Sequence, residues 1–130
     1  IPDEELGDYY NLCYLFAMPS KAEVCGIVYL EALACGKPVL AGNKDGSRDA
    51  LADGELGVLV DPDDVGEIAR EVIGVITHQH AHPCIYQPEL LRKRVIELFG
   101  FGTFKHTLTG YLGDWVSIKP NQTRSSYVER

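Results

Sequence analysis

Two carboxylates, Glu23 and Glu31, are separated by seven residues in the stretch Glu23-Val24-Cys25-Gly26-Ile27-Val28-Tyr29-Leu30-Glu31. Glu31 is the only charged residue in the run Gly26 to Cys35, GIVYLEALAC. A helix that is apolar all round belongs inside a protein. A lone carboxylate in its middle is costly unless it reaches water or accepts hydrogen bonds. Two readings follow for Glu31: it reaches solvent through a gap, or it faces a polar pocket and accepts from a ligand diol. Two adjacent hydroxyls match the two oxygens of one carboxylate, which is how acidic residues read ribose in nucleotide-binding folds. Glu23 lies just before the same helix, either as an acid favoured by the helix dipole or as a second ligand contact. Between them, Gly26, Ile27 and Val28 would offer unpaired backbone N–H groups to a phosphate. Gly26 also lets the ligand approach the backbone closely.

The elements that must position this pair can be read along the chain. Asp3 to Leu12 predicts a helix with acids in its first turn, and Tyr14 to Met18 a buried strand ending at Pro19-Ser20. Gly26 to Cys35 predicts a helix stopped by Gly36, followed by a buried strand over Pro38 to Ala41. A short helix is expected over Ser47 to Ala52, closed by Asp53-Gly54, and a third strand over Leu56 to Val60. Asp61-Pro62-Asp63-Asp64 then introduces a helix over Val65 to Ile76, Asp64 and Glu67 having near capping-box spacing. After the polar stretch His78 to Gln87 come a helix over Pro88 to Phe99, a break at Gly100-Phe101-Gly102 and a last helix over Thr103 to Trp115. The expected fold is α/β, with strands and helices alternating into a parallel sheet with right-handed crossovers. Only about three strands with flanking helices are visible, against five or six in a complete doubly wound domain. The chain opens on Ile1 and on a helix with no strand before it, so the expectation is a partial domain over residues 1–116 of a longer protein, with a flexible tail over 117–130.

Composition narrows the partners. The chain has 130 residues, 45% of them hydrophobic, with a formal net charge of −7. An acidic surface argues against sequence-independent nucleic-acid binding, and a phosphate-bearing ligand would have to be held by local donors. No apolar run approaches the roughly 18 residues that a bilayer requires. Cys13, Cys25, Cys35 and Cys84 show no CxxC pair, which suits free thiols in a reducing cytosol. Any membrane attachment would be peripheral, through parts absent from this chain.

The motif carries a resemblance. Pro19-Ser20 and the segment Glu23 to Ala32 are similar to the E-x7-E block of retaining family 4 glycosyltransferases of the GT-B type, which have two Rossmann-like domains. The similarity continues through Ala34-Cys35-Gly36-Lys37-Pro38-Val39, Gly42 to Ser47, Leu56 to Asp64 and Phe99-Gly100-Phe101, covering roughly residues 1 to 115. It implies a partial C-terminal, Rossmann-like donor-binding domain. It implies that Glu31 binds the ribose hydroxyls of a nucleoside-diphosphate sugar, that Gly26, Ile27 and Val28 cradle the diphosphate, and that Glu23 is catalytic, beside the donor sugar and facing the reacting carbon. The donor is a substrate; neither a cofactor nor a metal is implied, and the acceptor hydroxyl would lie on a glycan, lipid or small molecule, as in bacterial-type glycan biosynthesis. The family usually reads Glu-Gly-Phe-Gly where this chain has Glu23-Val24-Cys25-Gly26. Val24 restricts the backbone and would clash at positive φ, and Cys25 shortens the aromatic beside the donor. In the family, the Arg and Lys that clamp the diphosphate come from the first half of this domain and the acceptor site from an N-terminal domain. The chain by itself is therefore expected to be inactive. A non-catalytic remnant or interaction module with the same fold is the alternative.

Other signals carry less. His78, His80, His82 and Cys84 alternate along HQHAHPC, but four successive alternate residues cannot easily converge on one ion. Asp61, Asp63 and Asp64 precede a helix, where capping explains them better than calcium. Asn121-Gln122-Thr123 fits a glycosylation sequon, which has no meaning in a cytosolic chain. Cys25 has no His arranged near it in sequence to make a catalytic thiol.

Overall fold

The computed structural model describes residues 2–117. The chain divides after Phe99 into two units, each described separately.

The first unit is built on a three-stranded parallel sheet: β1 (Phe16–Met18), β2 (Val39–Gly42) and β3 (Val58–Val60), in that order. Phe16 pairs with Val39, Met18 with Ala41, Leu40 with Val58 and Gly42 with Val60. β2 is central and all four of its residues are buried, which explains why it reads as a continuous apolar run. Successive side chains point to opposite faces of a strand. Val39 and Ala41 accordingly join one apolar cluster with Tyr10, Tyr29, Ala32, Leu33, Leu51, Leu56, Leu91 and Val95. Leu40 joins the other, with Val58, Val60, Val75 and Ile85. Helices α1 (Asp3–Leu12), α2 (Ile27–Ala34), α3 (Ser47–Ala50) and α5 (Pro88–Phe99) contribute to the first cluster, and α4 (Val65–Ile76) to the second.

β1 and β3 are shorter than expected from sequence and β2 is shifted by one residue, from the expected 38–41 to Val39–Gly42: Tyr14 and Leu15 precede the ladder, as do Pro38, Leu56 and Gly57. The Phe16 N–H donates to Pro38 O at 2.9 Å, but Pro38 has no N–H to return. The ladder therefore begins one residue later. α2 ends as the sequence predicted: Gly36 takes φ +70°, its N–H donates to Leu33 O and that of Lys37 to Ala32 O, a Schellman motif. The left-handed Gly36 also lets α5 approach, since a Cβ there would lie 2.8 Å from Pro88 Cβ.

α4 is capped by Asp64, whose Oδ1 accepts the Glu67 N–H at 2.9 Å. Glu67 reaches back to the Asp61 N–H rather than to that of Asp64, so the reciprocal box spans three extra residues of turn. Asp64→Ala is expected to lower stability by about 1 kcal/mol, the usual cost of losing a cap. Urea denaturation checks this, and an unchanged midpoint would show the cap to be idle.

The second unit contains α6 (Phe101–Ser117). The expected three-residue break contracts to Gly100, whose carbonyl accepts the Phe104 N–H at 3.0 Å. Gly102 is tolerated in the first turn. Phe101, Phe104, Leu108, Leu112 and Trp115 recur every three or four residues, placing them along one face. Ser117, expected in the tail, ends this helix; the rest of the tail, with Asn121, lies outside the described residues.

Candidate functional site

Two helices start where strands end. β1 runs into the loop Pro19 to Gly26 and then α2; β2 runs into the loop Asn43 to Gly46 and then α3. In open parallel sheets this carboxyl edge is where ligands bind.

Gly26 is the N-cap of α2, not its first residue, with φ +64°. A Cβ there would lie 2.6 Å from Tyr29 Cδ2, so both conformation and space require glycine. Positive φ among the described non-glycine residues occurs at Ala52, Asp53 and His78, so Val24 does not strain the loop. Its side chain is exposed, as is Cys25. The left-handed turn that the loop needs is supplied at Gly26.

Glu23 turns its carboxylate back into this loop. Its Oε1 accepts the N–H groups of Val24 at 3.0 Å, Cys25 at 3.3 Å and Gly26 at 3.0 Å. The Gly26 donor, expected to face a phosphate, is thus taken by Glu23. The N–H groups of Ile27 and Val28 have no protein acceptor among the described residues and are the donors left open at the helix N-terminus.

The second loop clamps the first. Asp45 Oδ2 accepts the Glu23 N–H at 2.7 Å, and the Gly46 N–H donates to Glu23 O at 2.9 Å. Asp45 Oδ1 also accepts the Ser47 N–H at 3.0 Å, so one carboxylate serves both α3 and the Glu23 loop. Burial works against the Asp45 anion, yet these bonds, with the hydroxyls of Ser47 and Ser20, hold it below the ordinary aspartate range. Tyr29, fully buried, donates to Met18 O at 2.8 Å and accepts from Ser47 Oγ at 3.1 Å. It thereby ties α2 to the end of β1 and to α3. The sequence reading left the loop Asn43 to Ser47 without a role, although Asp45-Gly46-Ser47 ahead of the short helix expected there is itself an N-terminal helix signal.

The Gly26, Cys25 and Val24 N–H groups hold the Glu23 carboxyl below the ordinary value of 4.5. Because the folded pKa lies below the unfolded one, the charged form adds stability above the unfolded value, and that stability is lost as pH falls through the folded one. The stability difference between the parent and Glu23→Gln is therefore expected to be flat from neutrality to about 4.5 and to shrink below it. Urea titrations at several pH values read this, and a difference that grows on acidification contradicts the geometry.

Glu31 is half-buried on α2, and neither sequence reading alone describes it. Its Oε2 accepts the hydroxyl of Tyr10 from α1 at 2.8 Å. No buried side-chain oxygen among the described residues lacks a partner, so Oε1, which has no partner among those residues, is open to solvent.

Cations near this edge are already engaged. Lys44 pairs with Asp61 at 2.6 Å and Asp63 at 2.9 Å, and Lys21 pairs with Asp63. The Lys21 and Lys44 ammonium groups draw the Asp63 carboxyl down to about 2. Asp61 and Asp63 thus hold lysines, and only Asp64 caps. Arg48 is paired with Asp53 at 2.9 Å. The histidines diverge: His78 meets Tyr14, His80 pairs with Glu71 at 3.1 Å and His82 bonds Gly54 O at 2.7 Å. The four cysteines are free.

Comparison with known proteins agrees with this architecture. The family model described as Glycosyl transferases group 1 matches residues 1–90. A GDP-mannose-dependent alpha-(1-6)-phosphatidylinositol monomannoside mannosyltransferase of Mycolicibacterium smegmatis is 43% identical over 79 residues, 55% of this chain and 21% of the relative. A D-inositol 3-phosphate glycosyltransferase of Corynebacterium urealyticum is 34% identical over 108 residues, 75% of this chain and 26% of the relative. Among solved structures, Anabaena HepE in complex with UDP superimposes with a TM-score of 0.68 at 25% identity, over 82% of this chain and 29% of that one. The chain therefore spans only about a fifth to a quarter of the length of these relatives. No helix among the described residues is long and apolar enough to cross a membrane.

Proposed function

The chain belongs to the family of glycosyl transferases group 1, and from that premise we propose that it supplies donor contacts in a retaining glycosyltransferase that uses a nucleoside-diphosphate sugar. The carrying observation is that Glu23 and Glu31 flank the N-terminus of α2, where the Ile27 and Val28 N–H groups are open, at the carboxyl edge of a parallel sheet. Glu31 takes the ribose hydroxyls. Ile27 and Val28 face the diphosphate, with Gly26 letting it approach. Glu23 lies by the donor sugar and the reacting carbon. A glycosidic bond forms to the acceptor hydroxyl of a glycan, lipid or small molecule as the bond from the sugar's anomeric carbon to the diphosphate oxygen breaks, and the nucleoside diphosphate leaves, its freed oxygen taking up the hydroxyl proton. Positioning and stabilisation of the leaving charge by fixed donors supply the rate. Neither metal nor cofactor is part of the proposal.

The donor site is only partly furnished. Helix-terminal N–H groups stabilise an anion by on the order of 1 kcal/mol, and the nearby Lys21, Lys44 and Arg48 are committed to aspartates. We therefore place the diphosphate-clamping cations and the acceptor site in parts of the full-length enzyme outside this chain. An upstream strand would lie along the open edge of β1. On this reading the domain spans residues 1–116. The purified 130-residue chain is expected to transfer no sugar; measurable transfer would overturn that. Calorimetry of UDP, GDP and their sugars on the full-length protein tests the donor assignment. If these fail to bind while another nucleotide binds, the assignment is wrong. The committed lysines and the Gly26 donor spent on Glu23 favour one second reading, a non-catalytic module that keeps the fold; turnover by the full-length protein would exclude it.

A further inference from the structure

We propose that Tyr10 is a positioning residue for ribose recognition: its phenol holds the Glu31 carboxylate so that the open oxygen faces the two hydroxyls of the nucleotide. The inference rests on the ribose role proposed for Glu31 and deepens it.

The observations are these. Tyr10 is 7% exposed, the only buried residue of α1, and its ring stands edge-on to Phe16 with centroids 5.6 Å apart. Its hydroxyl donates to Glu31 Oε2 at 2.8 Å. Burial and the neighbouring Glu31 push the phenol well above its ordinary value, so it remains protonated and a donor at any working pH. The bond crosses between two helices, linking positions 21 residues apart in sequence. The ring is fixed by the core, while the glutamate sits on a helix with three side-chain torsions to restrain. A carboxylate left alone there would sample several rotamers. Tied through Oε2, it leaves Oε1 and the second lone pair of Oε2 as acceptors, which is the number a cis-diol requires. α1 thereby acquires a role in the donor site without touching the donor.

The test uses full-length protein and two ligand pairs: UDP and GDP, and their 2′,3′-dideoxy counterparts, which keep base and diphosphate but lack the diol. Tyr10→Phe keeps the ring and its packing. It is expected to weaken binding of the matching ribonucleotide about 2- to 12-fold, the range of one ordinary hydrogen bond, while leaving the dideoxy ligand unchanged. In a Glu31→Gln background the same substitution should have little further effect, because the two residues act as a unit. Equal loss of both ligands by Tyr10→Phe would make Tyr10 merely structural and overturn the proposal. No loss by Tyr10→Phe beside a clear loss by Glu31→Gln would overturn it too, leaving the ribose role of Glu31 intact. If Glu31→Gln also leaves ribonucleotide affinity unchanged, the donor reading itself falls.

Discussion

Gly46→Ala is expected to lower the stability of the first unit by about 2–3 kcal/mol, the cost of forcing extra volume into a packed site. Backbone conformation is not the reason, since Gly46 has φ −62°. Space is the reason: an added Cβ would fall inside van der Waals contact of Val24 O and lie 2.9 Å from Glu23 O. Both obstacles are backbone, so no side chain can rotate away. The methyl must push the Glu23 loop off the Asn43–Gly46 loop, breaking the Gly46 N–H bond to Glu23 O and straining that from Glu23 N to Asp45. The same variant should lose the acid-dependent stability attributed to Glu23. Gly7→Ala is the contrasting control. A Cβ at Gly7 meets nothing within 4 Å on α1, so that variant should gain about 0.5–1 kcal/mol. Urea midpoints that move alike for the two glycines would show that the contact between the loops is not as described.

Glu31→Ala is expected to weaken nucleoside-diphosphate binding by about 10- to 100-fold in the full-length protein, with little change in the affinity of a dideoxy analogue. A hydrogen bond to a charged group contributes about 1.5–3 kcal/mol, and every 1.4 kcal/mol is tenfold in affinity. That range for one net bond gives roughly 10- to 100-fold; solvent access at Oε1 keeps the pair of bonds to a diol from adding in full. The fold should suffer less, by about 1 kcal/mol, since the Tyr10 hydroxyl loses one acceptor near the surface of the core. Calorimetry with paired ribo and dideoxy ligands separates the two effects. Equal weakening of both ligands would move Glu31 from the ribose to a scaffolding part.

Much of the framework is legible in local sequence because it depends on local chemistry. Gly36 after an apolar helix, Asp64 three residues before Glu67, and the continuous apolar run of β2 each predict an element whose bounds the structure reproduces closely. The helices Asp3–Leu12, Val65–Ile76 and Pro88–Phe99 coincide with their sequence expectations. The starts of the strands are less legible, because a ladder needs a partner: Pro38, lacking an N–H, cannot carry the pairing of β2 back to its own position.

The motif Glu23 to Glu31 marked the proposed site in the sequence, and the oddity of one charge in an apolar helix singled out Glu31 without any structure. What surrounds these carboxylates came only from the packing. Asp45 clamps the Glu23 loop from 22 positions away, and Tyr10 meets Glu31 from 21 positions away. Sequence spacing carries no information on such pairs, since parallel strands and their helices bring distant segments together through crossovers. A sequence can declare that a carboxylate in an apolar helix must find a donor or water. Only the tertiary fold decides which donor, because that depends on which helix the sheet places beside it.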